Sequence, residues 1–175
     1  MPRPTVEELL DRTEIQDLLT RYTYQHDVLA ARFAAGEADG TEFDVFDEIF
    51  TPDAVIDFTR SGGPRDVVSK MKVFMASVYP LFPVQHHPFG QMQVTFSADG
   101  NEAETRAWAL NPMGYGKAGE PLEVFTTGGY FINRFVRTND GWRISFHTYD
   151  PHWQMGDTPA TLEQDLINVI KSIGQ

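Results

Sequence analysis

Val84-Gln-His-His-Pro-Phe-Gly-Gln-Met-Gln-Val-Thr-Phe96 is the stretch at which the chain changes period. Upstream of it apolar residues recur at helical spacing; from it onward they alternate, with Met92, Val94 and Phe96 on one face. Asp99-Gly100 then turns the chain as a hairpin signal, and 103–110 returns as a strand. Residues 111–121 read as a loop rich in turn residues. Residues 124–136 form a long strand, with Gly128-Gly129 as its bend or bulge. Asn139-Asp140-Gly141 makes the next hairpin, 142–149 is the last strand, and Pro151 ends it. A final helix is predicted after Thr158-Pro159, with Leu162, Leu166, Val169, Ile170 and Ile173 on its apolar face.

Working back from Val84, the residues 66–79 read as a helix through Val67, Met71, Phe74 and Val78, and 54–58 as a short strand. Phe43, Phe46, Ile49 and Phe50 mark a second short helix, stopped by Thr51-Pro52-Asp53. The first helix starts at a capping box, Thr5-x-x-Glu8, and carries a stripe through Val6, Leu9, Leu10, Ile15, Leu18, Leu19, Tyr22, Leu29 and Phe33. Arg21-Tyr-Thr-Tyr-Gln-His-Asp27 is read as its end. His26 falls inside the stripe, while Asp27 lies about 100° further round, at the stripe's edge. Helices followed by a meander of strands give an α+β fold, with helices packed on one face of a mostly antiparallel sheet. One domain over 1–175 is expected, with a core of about 8–150 and a helical extension over 158–175.

The charge excludes several functions. With 14 Lys and Arg against 25 Asp and Glu, the net charge is −11, so no nucleic acid and no anionic membrane surface is an expected partner. There is no cysteine, which removes disulfides, thiolate nucleophiles and Cys-based zinc or iron–sulfur sites. Neither a signal peptide nor a membrane-length apolar run is read, and a cytoplasmic protein is expected. Thirteen Phe suggest an interior or cavity lined by rings.

The chemistry concentrates in Asp27 and the pair His86-His87. A neutral imidazole accepts a proton near neutral pH, and a carboxylate on its other nitrogen fixes the tautomer and stabilises the imidazolium. Neighbours on an extended segment alternate faces, so only one of the two histidines can reach a given pocket, and joint metal chelation by the pair is disfavoured. His147, Asp150 and His152 could be read as metal ligands, but such clusters at strand ends are more often surface polar structure; no metal and no cofactor is expected.

Tyr22-x-x-x-x-Asp27, Phe50-Thr-Pro-Asp-Ala-Val55, Gln85-His-His87, the Gly128-Gly-Tyr130 strand and Asn139-Asp-Gly-Trp-Arg143, in this order, resemble the SnoaL-like branch of the NTF2-like superfamily over roughly 8–150. The resemblance implies a cone: a curved sheet with helices packed on its concave side, plus the C-terminal helix. Dehydratases and dehydrochlorinases of that branch pair an Asp near the end of helix one with a His at the start of the meander. That assigns Asp27 and His86 as catalytic residues, with Tyr22, Asn111 and Tyr130 as polarising groups and His26 at the pocket rim. Some relatives carry a second pocket histidine where this chain has Asn111, and a tyrosine where it has His26. The loop at 34–42 is longer than usual. The expected function is a cofactor-free dehydratase or related lyase acting on a small hydrophobic cyclic molecule, in a homo-oligomer, dimer or trimer. A polyketide- or steroid-type isomerase or cyclase and a non-catalytic small-molecule-binding module are the alternatives.

Overall fold

The computed structural model describes residues 3–173. Helix α1 spans Val6–Ala35, capped at its start by Thr5, whose hydroxyl accepts from the Glu8 N–H at 3.1 Å, and closed by Gly36 in the left-handed region. A 3-10 segment over Thr41–Glu48 replaces the expected second helix, and strand β1 (Phe50–Asp57) follows it directly. The segment read as a third helix divides into a short strand β2 (Arg65–Val67) and helix α2 (Val68–Val78). Then come β3 (Val84–Gln85), β4 (Phe89–Phe96), β5 (Glu102–Tyr115), β6 (Glu123–Thr138), β7 (Gly141–Met155) and helix α3 (Leu162–Ile173).

The strands form one curved, unclosed sheet in the order β2-β1-β7-β6-β5-β3, with β4 also pairing β5. Neighbours are antiparallel except for β1 and β7, which run parallel. Strands β5 to β7 are longer than their composition suggests. β5 runs through the expected loop as far as Tyr115, and β7 passes Pro151. Pro151 fits because it stands opposite Gly129 at a bulge, where the ladder already shifts register. The two glycines are required there. A side chain at Gly129 would meet the Asp150 carbonyl oxygen at 2.1 Å, and one at Gly128 would meet the Trp153 indole at 2.1 Å.

Helices and sheet share one main core. Ile15, Leu19 and Leu29 of α1, Phe43 and Phe46 of the 3-10 segment, and Met71 and Phe74 of α2 pack on Ala107, Phe135, Trp142 and Ile144 of the sheet. A polar pin fixes α1 against the last hairpin. The Asp11 carboxylate accepts from Trp142 Nε1 at 3.0 Å and from Arg137 Nη2 at 2.6 Å. At the far end of the sheet Phe82, Tyr115, Phe125 and Leu162 form a smaller cluster that seats α3.

Candidate active site

The first wall of the site is α1. Tyr22 and His26, one turn apart on its inner stripe, are both buried. The Tyr22 ring meets His147, Phe50 and His26 edge-on, with centroids at 4.7, 5.2 and 5.8 Å. Burial, reinforced by the Asp27 charge, pushes the Tyr22 hydroxyl far above its usual range, so it stays a neutral donor. Burial also holds His26 well below the usual imidazole range, and the charges of His87 and His147 act in the same direction. Asp27 is half-buried at the stripe's edge. The expectation that α1 ends at Asp27 is corrected, since the helix continues to Ala35. Asp27 is thus a mid-helix residue, and the chain segment 84–88 comes to it.

That segment forms the second wall. Val84 and Gln85 pair with Gly114 and Met113 of β5, the His86 N–H donates to the Pro112 carbonyl, and the Leu110 N–H donates to the Pro88 carbonyl. Phe89 then pairs with Ala109, so one register runs through β3 and into β4. In that register Gln85 and His87 share the inner face and His86 turns out. His87 Nδ1 lies 2.5 Å from Asp27 Oδ1, and the His87 backbone N–H donates to Asp27 Oδ2 at 3.1 Å. His86 Nδ1 is 3.8 Å from Asp27 Oδ2, on a side chain 67% exposed against 13% for His87. The assignment of His86 as the partner inside the pocket is therefore corrected to His87. Asp27 grips both the backbone and the ring of His87, which fixes where the imidazole sits.

His87 lines a cavity of about 720 Å³ walled by α1, α2, the inner faces of β5 to β7, and α3. Tyr22, His26 and Asn111 line it too. Asp27 does not; it borders a separate hollow with His86 and Gln91, on the other side of His87. Asn111 belongs to β5 and stands opposite Thr127 of β6. Tyr130 is not in the cavity, which corrects its expected role. The neighbouring Phe131 takes the inward position, and Tyr130 stacks near Trp108 (4.9 Å) beneath the Arg106 guanidinium (3.8 Å).

Two cavity residues were given no pocket role from the sequence. His147 is buried at the back wall, its Nδ1 2.7 Å from Asn133 Oδ1, and Asn133 Nδ2 donates to Thr105 Oγ1 at 3.0 Å. Burial, with the charge of His87 added, pushes His147 down to about 3. The metal reading of His147, Asp150 and His152, disfavoured from the sequence, finds no convergence: Asp150 pairs with Arg60 and His152, while His147 bonds Asn133 in the wall. Gln85, buried beside His87, is the second. Both were legible only from strand parity.

Among the described residues, His26, Asp27 and His87 offer ligand atoms within 4.8 Å of one another. The 2.5 Å between Asp27 Oδ1 and His87 Nδ1 is a hydrogen-bond distance. Two ligand atoms on a tetrahedral zinc ion would stand roughly 3.3 Å apart. As drawn, the group is a hydrogen-bonded dyad with a neutral imidazole beside it, suited to moving a proton at His87 Nε2.

Comparison with known proteins bears on the family and the fold. The sequence model of the SnoaL-like domain matches residues 7–148. An uncharacterized protein of Mycobacterium tuberculosis is 37% identical over 140 residues, covering 80% of this chain and 84% of its own length. A protein of Kribbella flavida superposes with a TM-score of 0.68 at 24% identity, over 83% of this chain and 93% of that one. A hexachlorocyclohexane dehydrochlorinase of Novosphingobium barchaimii superposes with a TM-score of 0.64 at 14% identity, over 86% and 92%. At these identities the two solved structures show the fold alone.

Proposed function

The chain belongs to the SnoaL-like domain family, within the NTF2-like superfamily, and from that premise we propose that it is a cofactor-free lyase of the dehydratase type. The observation that carries this reading is the Asp27–His87 pair at 2.5 Å, with His87 on the wall of a cavity lined by rings. In this reading His87 Nε2 removes a proton from a ring carbon. Asp27 holds Nδ1–H and stabilises the imidazolium as it forms. Tyr22, or the Asn111 amide, donates to the oxygen that gains charge or departs. The aromatic walls weaken screening, so each of these interactions counts for more than it would in water. The substrate class is a small hydrophobic ring compound with a leaving group next to an acidic C–H. The same reading carries a homo-oligomer joined through the outer sheet face, where Trp108 and Leu110 are exposed.

The test is elimination measured on a panel of such ring compounds. His87→Ala and Asp27→Asn are expected to lower turnover by about 10²–10⁴-fold, whereas His86→Ala leaves it within about three-fold of the parent. A His87→Ala enzyme as active as the parent would sink the reading. Deuterium uptake from solvent without loss of a leaving group would replace the lyase with an isomerase.

A further inference from the structure

Three buried polar atoms on the cavity wall have no hydrogen-bond partner among the described residues: His26 Nδ1, Gln85 Nε2 and Asn111 Oδ1. Their residues are 9%, 6% and 2% exposed. An unpaired buried polar group destabilises a fold by about 1–3 kcal/mol, and most native ones are paired. Other polar groups around the cavity follow that rule. His147, Asn133 and Thr105 form a closed chain, and the Tyr149 hydroxyl donates to Thr127 Oγ1 at 2.9 Å. The fourth unpaired atom, Thr51 Oγ1, lies away from the cavity.

The unpaired groups are also neighbours. The register that sets Gln85 opposite Met113 sets His87 opposite Asn111, so Gln85, His87 and Asn111 occupy one patch of the inner face. The His26 and His87 rings are 4.4 Å apart. Charged side chains on the cavity wall are few. Its cation is Arg60 at the rim, already held by Asp150, and Glu163 stands on the α3 wall. An anion would find no free cation among these, whereas a neutral oxygen would find carboxamides that both donate and accept.

We propose that Gln85 and Asn111, beside His87, form a cradle for an uncharged oxygen function, so that the cavity takes neutral hydroxyl- or carbonyl-bearing ring compounds and rejects ring carboxylates. This names the substrate class of the acid/base site described above and rests on that reading. Gln85 acts here as a specificity residue.

Binding of three probes with one ring system tests it: 1-naphthol, naphthalene and 1-naphthoate, titrated calorimetrically into the full chain. 1-Naphthol is expected to bind about ten-fold more tightly than either of the others. Gln85→Met and Asn111→Leu should each remove most of that advantage, leave naphthalene binding unchanged and raise the melting temperature of the free protein. A purely structural role would lower it. Asn111→Val, which removes the carboxamide in a smaller β-branched side chain suited to a strand, serves where the leucine variant does not fold, and should also weaken 1-naphthol binding. Asp27→Asn should keep the preference, so failure of the acid/base reading is distinguishable from failure of this one. Equal affinity for 1-naphthol and naphthalene, tighter binding of 1-naphthoate, or no 1-naphthol binding at its solubility limit would each overturn the proposal.

Discussion

His147 takes no proton in the folded chain until the pH falls to about 3, whereas in the unfolded chain it titrates near ~6.5. Between those values the unfolded chain binds a proton that the folded chain does not, so stability must fall as the pH drops through that window. The slope from one such group approaches about 1.4 kcal/mol per pH unit. Burial acts in the same direction on His26. Denaturant melts at pH 7, 6 and 5 should therefore show a clear loss for the parent and a shallower one for His147→Gln; parallel slopes would contradict this. At the same scale, the choice between His86 and His87 shows where sequence stops deciding. Counting back in twos from Met92, Val94 and Phe96 puts His86 on the inner face. The ladder shifts register between Gly90 and Gln93, with Gln91 at a φ of 41°, and that one-residue slip brings His87 inward instead. Gly90 is the one local sign of the bulge, and a single glycine does not say whether the register slips. Asp27 at the edge of the stripe was readable from the helical wheel, because helix geometry does not depend on partners.

Helix α1 carries the wall residues Tyr22 and His26, so whatever holds it in place sets the geometry of the site. Burial by itself would raise the Asp11 carboxyl, but the hydrogen bonds from Arg137 and Trp142 bring it below its usual range. Removing the carboxylate leaves an indole N–H and a guanidinium without their acceptor. Asp11→Ala should lower stability by about 2 kcal/mol, or roughly 4–8 °C in melting temperature; a shift under about 1 °C would show that the pin is idle. On the sheet side, Gly129→Ala should destabilise by about 1–3 kcal/mol by forcing β6 away from β7, measurable in the same melts. The Thr5 cap and the hairpin at Asn139–Asp140 were legible because their signals are local. The full lengths of β5 and β7 were not, since Pro112 and Pro151 read as breakers. Pro151 is tolerated only because the bulge at Gly129 absorbs it, and Pro112 still serves as an acceptor for His86.

The whole molecule is an acidic cone with helices in its concavity and an outer sheet face on which Trp108 is 51% and Val124 68% exposed, at the end away from the exposed Glu104–Arg134 pair. The α+β layout was legible from the change of period at Val84, and a ring-lined interior from the Phe content. The cavity's lining was not, because it is gathered from seven helices and strands, α1, α2, β3, β5, β6, β7 and α3. Under the assembly proposed above, the 19.8 kDa chain should sediment at two or three times its mass, and Trp108→Lys should shift it towards monomer with the cavity intact. No helix among the described residues is long and apolar enough to cross a membrane. The pressing of Trp153 against Gly128 has a further, optical consequence. Trp142 is wholly buried beside Asp11 and Trp108 sits on the outer face, while Trp153, 48% exposed, lies on the cavity wall. Its emission should therefore shift to the blue or be quenched as a ring compound enters, and Trp153→Phe should abolish the change, giving the chain a built-in reporter for ligands.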